Sequence, residues 1–521
     1  VSEHPGLVPA PGHYRARTGQ LTLEGRVGLS SDDSAAPSAT LLAEILTRAG
    51  VSVQVVAPGE PATVALHIDS GISAQPEGYR IDITGERAVL TGASADGLAR
   101  AVQTVRQLLP ADALRHAPVT GAPPLPCCEI EDAPRFGWRG VHIDVARHFL
   151  PVHSVLRSID LAALHRLNVV HLHLTDDQGW RLDVPTHPLL AERASWRAET
   201  VVGRDAGFDG TPHGGYYSAA DIREIVEYAS RRRITIVPEV DLPGHVQSVL
   251  AAYPELGNTG QPVEVRRTWG ISENVLAPTE EALTFAKEVL DVLIELFPGP
   301  WVHIGGDEVP RTEWRASEAA AARASELGLA SVDELQSWFL RELHAYLAAH
   351  GRRAVGWDEI LDDGGMPADT IVTAWRGAEH AVQGLTAGHD VVMATKWVTY
   401  LDYASSDDPD EPIAQRRIIT LADILSWEPE PAEAPDLPGQ VLGVQAQLWS
   451  EFLPTAREVE YAAFPRLCAV AEAGWSAPES RTDLMDRLPA HLSRLTALGV
   501  NYRPLAGPHP WQRGGTGRRR H

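Results

Sequence analysis

Short β-like runs, VSVQVVA, TVALHID, YRIDITG and AVLTG, alternate along the first 125 residues with the helical stretches ATLLAEILTRAG and ADGLARAVQTVRQLLP. Apolar positions recurring every second residue fit half-buried strands, and those recurring at three and four fit amphipathic helices. This part therefore predicts a small α/β domain over residues 1–125. HAPVTGAPPLPCC then gathers proline, glycine and small residues, which places a domain boundary there. From about residue 135 a longer alternation begins. Strand candidates are GVHIDVAR (140–147), VVHLHLTDD (169–177), ITIVPEVD (234–241), WVHIGGDE (301–308), RAVGWDE (353–359), TIVTAWRG (370–377), DVVMATKWVTYLD (390–402) and LGVQAQLWSE (442–451).

Between these candidates lie helices with readable starts. Ser218 has Asp221 three residues on and Ser331 has Glu334 three residues on, the spacing of a capping box, and the second helix runs up to Gly351. Eight strands alternating with helices predict an α/β fold, a (β/α)8 TIM barrel over 135–510 preceded by the small α/β domain. The long stretches 186–217, 252–276 and 403–440 become insertions in its loops. The last is rich in Asp, Glu and Pro and, taken alone, has the composition of a disordered linker. Residues 511–521 form a polar, basic tail expected to be disordered.

In such a barrel the active site lies at the C-terminal ends of the strands. Here those ends carry Arg147, Asp176 with Asp177, Asp241, Asp307 with Glu308, Trp357 with Asp358, Trp375, Tyr400 with Asp402, and Trp449 with Glu451. Sugar rings expose C–H faces that pack on aromatic rings and hydroxyls that need acceptors and charged donors, so a rim of acids and indoles predicts a sugar-sized pocket. Two metal readings compete with it. His171 and His173 point to one side of a strand and could ligate a metal, but strands five and six end in Trp, and neither lysine is near strand four. A carboxylate site using Asp177, Asp241 and Asp307 lacks a Lys or His base on the opposite rim. No metal and no cofactor is expected, and the two histidines are assigned to the barrel interior.

Composition narrows the partners. The 521-residue chain has 44% hydrophobic and 22% charged residues, as an ordinary globular protein does, and a net charge of −24. That charge argues against nucleic acid or an anionic membrane surface as a partner. Three cysteines cannot make a disulfide framework, which leaves the redox compartment open. No run is long enough to span a membrane, and VSEHPGLVPAPG lacks the pattern of a signal peptide. The expected location is thus either inside the cell or that of a processed secreted form.

The stretches GVHIDVARHF, LNVVHLHLTDDQGWRLDVPTHP, PEVDLPGHVQSVLAAYPEL, HIGGDE and QAQLWSEF, together with EGYRIDITGERAVLTGASADGLARAVQTVRQLL in the first domain, resemble glycoside hydrolase family 20, the β-N-acetylhexosaminidases. The resemblance implies an exo-acting enzyme that removes terminal N-acetyl-β-D-glucosamine or galactosamine residues by a retaining, substrate-assisted mechanism. It implies Glu308 as general acid, with a raised pKa, and Asp307 as the acceptor of the acetamido N–H. Supporting roles fall to Tyr400, as donor to the acetamido oxygen, and to His245, oriented by an acid such as Asp177. Arg147, Asp402 and Glu451 would bind sugar hydroxyls, Trp357 and Trp375 would enclose the acetamido methyl, and Trp449 would lie against the ring. The partner it implies is a small carbohydrate: an N-acetylhexosaminide, a chito-oligosaccharide or a glycan end.

Overall fold

The computed structural model describes residues 6–58 and 60–512. The first sheet has seven strands in the spatial order His13–Leu21, Leu125–Asp132, Tyr79–Ile83, Ala88–Gly92, Val64–Ile68, Arg26–Ser31 and Ser52–Val55. Leu125–Asp132 pairs antiparallel with both the first and the third of these, so the expected boundary at residue 125 is corrected: the chain leaves the sheet only after Asp132. The prolines misled because Pro126 sits next to the strand's start, a position where a missing N–H is tolerated. Ala95–Leu108 is a helix buried almost all round, capped by the Ser94 side chain. Its buried polar groups have partners on the barrel: Arg106 reaches Asp160 at 2.8 Å, and Gln107 donates to the Leu164 carbonyl at 2.7 Å.

All eight barrel strands lie where the pattern places them: Trp138–Asp144, Val169–His173, Thr235–Glu239, Trp301–His303, Arg353–Trp357, Ile371–Ala374, Val391–Met393 and Val441–Leu448, each parallel to its neighbours in a closed ring. The seventh is much shorter than 390–402, and Tyr400 touches the sheet only through an isolated bridge to Gln447. Ser218 and Asp221 form the expected capping box. Ser331 instead opens a 3-10 turn and accepts from Asp333 N, while the Glu334 carboxylate accepts from Ala330 N. The insertion 403–440 is ordered: Tyr403–Ala404 pairs with Gln415–Ile418, and Thr420 and Asp423 box the start of helix Leu421–Ser426. Trp511 and Gln512 lie in a short 3-10 turn; residues 513–521 of the expected tail lie outside the described residues.

Inward positions alternate along each strand and stack into layers. The lowest layer is apolar, with Trp138, Val169, Val237, Val355, Ile371 and Val392 packed together. Above it lie His142, His171, His303 and Gln445, all buried. The uppermost layer opens to the C-terminal rim. Among the described residues no helix is long and apolar enough to cross a membrane.

Candidate active site

The floor of the site is built around Glu239, the last residue of the third strand and wholly buried. Trp357 Nε1 donates to its Oε1 at 2.7 Å, and His173 Nδ1 lies 2.5 Å from its Oε2. His171 and His303 approach the same carboxylate at 3.0 and 3.1 Å. Burial works against charge on His173, but Glu239 and a hydrogen bond with Asp176 outweigh it and hold the imidazole up at about 10. Burial likewise opposes charge on Glu239, yet the surrounding imidazoles bring its carboxyl well below the usual range. The donor set would suit a transition metal by type and proximity, since two triads drawn from His142, His171, His173, His303 and Glu239 converge. The carboxylate is nevertheless already satisfied by N–H donors, which makes it an anchor for the Trp357 ring.

From this floor a chain of contacts climbs to the rim. His173 Nε2 lies 2.8 Å from Asp176 Oδ2, and Asp176 Oδ1 lies 3.1 Å from His245 Nδ1. His245 Nε2 then faces Glu308 Oε2 at 3.6 Å. Asp176, not Asp177, therefore makes the hydrogen bond that orients His245. Asp177 stands 3.5 Å from His245 Nδ1 and spends its oxygens on the backbone N–H groups of Gln247 and Ser272. Two adjacent acids at a strand end gave no basis for choosing between them. His245 and Glu308 both adopt left-handed backbone, φ 52° and 49°, a conformation that costs a residue with a side chain about 1–2 kcal/mol. That strain is held at the two residues whose side chains face each other at the rim.

Gly305 and Gly306 also have positive φ. A side chain on Gly305 would sit 1.7 Å from Asp241 Oδ1, and one on Gly306 would meet Ile360 and Leu340. The glycines thus make room for protein atoms. They let Asp241 lie directly under the turn, where it accepts from Gly306 N at 2.9 Å. Burial and the neighbouring Asp241, followed by Glu308, push the Asp307 carboxyl well up, although His245 pulls the other way. Asp241 is pushed up as well, by burial first and then by Glu239. Glu308 goes the opposite way from expectation: burial raises it, but the hydrogen bond and charge of His245, with Arg147, bring it below its ordinary value. The adjacent carboxylate matters less to it than the imidazolium behind it.

The pocket is lined by Arg147, Asp307, Glu308, Trp375, Tyr400, Asp402, Tyr403, Gln415, Trp449 and Glu451. Arg147 is fixed by Asp176 at 2.7 Å and Asp144 at 3.3 Å, with its guanidinium 4.9 Å from the Trp449 ring. Trp375 stacks on Tyr400 at 6.2 Å, and its Nε1 donates to Glu359 at 2.8 Å. Trp357 lies beneath the lining, 5.7 Å from Trp449 and almost fully buried. Burial and the nearby Glu451 push Asp402 well up, and its Oδ1 has no hydrogen-bond partner among the described residues. Burial also pushes the Tyr400 phenol well up, keeping it a donor. Burial, Asp307 and Asp358 push Glu359 up to about 9.

The sequence reading missed Glu239, Glu359, Tyr403 and Gln415. Glu239 carried a signal, an acid two residues from Asp241 inside an otherwise apolar strand. Gln415 carried none, since it enters from an insertion that looks like a linker.

Comparison with known proteins matches residues 136–478 to the catalytic domain of glycosyl hydrolase family 20 and residues 4–133 to that family's domain 2. A β-hexosaminidase of Porphyromonas gingivalis is 38% identical over 489 residues, which span 92% of this chain and 61% of that protein. A β-N-acetylhexosaminidase of Cellulomonas fimi is 35% identical over 89% of this chain and 88% of its own. Among solved structures, the exo-β-N-acetylglucosaminidase of Vibrio harveyi in complex with N-acetylglucosamine superposes with a TM-score of 0.85, at 31% identity, over 96% of this chain and 79% of its own. The Streptomyces plicatus N-acetyl-β-hexosaminidase gives 0.82 at 29% identity, over 97% of both chains. The two family models together cover the barrel and the sheet before it: the chain is a member of glycosyl hydrolase family 20.

Proposed function

We propose that the protein is an exo-acting β-N-acetylhexosaminidase that releases terminal N-acetyl-β-glucosamine or galactosamine with retention, using the substrate's own acetamido group as nucleophile. The observation that carries this reading is the entry of adjacent Asp307 and Glu308 into one pocket with different neighbours. His245 Nε2 approaches both, Glu308 at 3.6 Å and Asp307 at 3.9 Å, but Asp307 is raised by burial and by Asp241 beneath it whereas Glu308, against burial, is lowered by the imidazole behind it. In the first step the acetamido oxygen bonds to the anomeric carbon as the bond to the leaving oxygen breaks. Glu308 delivers its proton to that oxygen. Asp307 accepts the acetamido N–H and offsets the positive charge that develops on the forming oxazolinium ring, and Tyr400 donates to the acetamido oxygen. Water then opens the ring, and Glu308 takes the water's proton.

Because His245 is held well above its ordinary pKa, chiefly by Asp176 against the effect of burial, the proton that Glu308 needs is stored on the imidazole side of the pair. It moves to the carboxyl when a bound sugar excludes solvent from around the pair and the ion pair becomes less favourable than the neutral one. At the far end Arg147, Asp402 and Glu451 close the pocket around the sugar hydroxyls, which limits cleavage to one terminal residue. The test compares 4-nitrophenyl N-acetyl-β-glucosaminide with 4-nitrophenyl β-glucoside. Hydrolysis of the first at least 10³-fold faster in kcat/KM is expected; similar rates on both would remove substrate assistance.

A further inference from the structure

The fifth strand ends in Trp357 and runs directly into a 3-10 turn, Asp358–Leu361, whose first two residues are both acids. The two acids hold the end of the sixth strand in different ways. Asp358, wholly buried, accepts from the backbone N–H groups of Trp375 at 3.0 Å and Arg376 at 3.1 Å, and from Arg376 Nε at 2.7 Å. That fixes the main chain at Trp375. Glu359 reaches further and accepts from the Trp375 indole, with Nε1 2.8 Å from its Oε2.

Stacking alone holds an indole loosely, because offset and edge-on arrangements of aromatic rings differ little in energy. One hydrogen bond at the ring's edge removes that freedom. The ring so held lies at 25° to Tyr400 and has the Lys396 ammonium 4.4 Å from it. Trp375, Tyr400 and Asp307 line the same pocket. With the acetamido N–H on Asp307 and the acetamido oxygen on Tyr400, the methyl end of the group is left to the Trp375 wall.

We propose that Glu359 is a positioning residue that sets acyl-group specificity: by fixing the plane of the Trp375 indole, it fixes the size of the 2-acylamido group that the pocket admits. The inference rests on the hexosaminidase reading and names the part of the substrate that this wall measures. Glu359 works as a neutral acid near neutral pH, since burial, Asp307 and Asp358 push it up to about 9 against the pull of Trp375 and Arg376. Arg376 comes within 4.0 Å of it, but that guanidinium is committed to Asp358 and, at 3.1 Å, to Asp362. The carbonyl oxygen of the neutral acid suffices to accept the indole N–H, and its proton keeps a further negative charge away from Asp307.

The experiment measures kcat/KM on the 4-nitrophenyl glycosides of N-acetyl- and N-propanoyl-β-glucosamine and reads their ratio. Loss of folded protein lowers both rates alike, so the ratio reports the wall and not stability. The wild type is expected to favour the acetyl substrate about tenfold or more, as one extra methylene in a shaped pocket allows. Glu359→Gln, the isostere of the neutral acid, keeps the ratio within about twofold of that value, whereas Glu359→Met, equal in length but without the acceptor, lowers it to about three or less. Trp375→Phe takes away the same bond from the donor side and keeps a ring; it too lowers the ratio to about three or less, and adding Glu359→Met to it lowers the ratio no further. A wild-type ratio near one, a ratio that survives Glu359→Met or Trp375→Phe, a loss in Glu359→Gln as large as in Glu359→Met, or a further fall in the double variant would each overturn the proposal. Failure of the wild type to hydrolyse the acetyl substrate would instead sink the hexosaminidase reading, and this inference with it.

Discussion

At the N-terminal end of the barrel, Glu77 meets Arg100 at 2.7 Å and Arg139 at 2.5 Å, and Asn168 donates to it at 3.1 Å. At the C-terminal end the strongest carboxyl neighbours of Asp307 are Asp241 and Glu308, with His245 the opposing charge. Both carboxyls are largely buried, yet they are displaced in opposite directions. Burial would raise Glu77, but the two guanidiniums outweigh it and bring it to about 2. Asp307 is raised. The lower cluster joins the small domain to the barrel and satisfies every charge it buries. Among the described residues, the upper one leaves acceptors unmet on Asp241, Asp307 and Asp402. Unmet acceptors are costly in a free protein and useful to one that receives a ligand rich in hydroxyl and amide donors.

If that division is right, substitutions at the two ends separate activity from stability. Asp307→Asn is expected to lower kcat on aryl N-acetyl-β-glucosaminides by about 10²- to 10³-fold, and its Tm is expected to stay level or rise, since a repelled buried carboxylate is removed. A thermal melt and initial rates check both halves. Glu77→Gln should do the reverse. It leaves two buried guanidiniums without their counter-charge, at a cost of about 3 kcal/mol, and leaves kcat within about twofold.

The pH dependence sharpens the contrast. A carboxyl depressed from 4.5 to about 2 contributes stability that is present above its unfolded value and lost as pH falls from about 4.5 through 2. Wild-type protein should therefore lose about 3 kcal/mol relative to Glu77→Gln across that window, which denaturant melts at several pH values would reveal. At the rim the expected effect is smaller and on rate. His245→Asn takes away the imidazole that stores the proton, so kcat/KM should fall about tenfold at neutral pH and its alkaline limb should move to lower pH by about one unit. An unmoved limb would place the stored proton elsewhere.

Much of this arrangement was legible in the amino-acid order. Short apolar runs separated by helices located all eight barrel strands, because burial on both faces leaves a strong apolar run between turn signals. Residues at strand ends could be collected as one rim for the same reason. What the order of residues hid was pairing. Pro126 looked like a linker residue, since a proline beside a strand's first residue leaves the strand intact while carrying the composition of a turn. Asp176 and Asp177 could be told apart only once the turn after the second strand directed one towards His245 and the other into the backbone of the next loop. The direction of the Glu308 shift depended on the distance to an imidazole 63 positions away in the chain, which adjacency to Asp307 could not supply. Glu359 belongs to the same class, raised by burial and by Asp307 from another strand before its sequence neighbour Asp358 adds to the effect.

The division of labour between Asp307 and Glu308 is the central claim, and leaving-group dependence tests it most directly. Glu308→Gln would be assayed on 2,4-dinitrophenyl N-acetyl-β-glucosaminide, whose phenolate departs without a proton, and on the 4-methylumbelliferyl analogue, whose departure needs one. A loss in kcat/KM of less than about tenfold on the first and about 10²- to 10⁴-fold on the second is predicted. An equal loss on both substrates would contradict Glu308 as the proton donor.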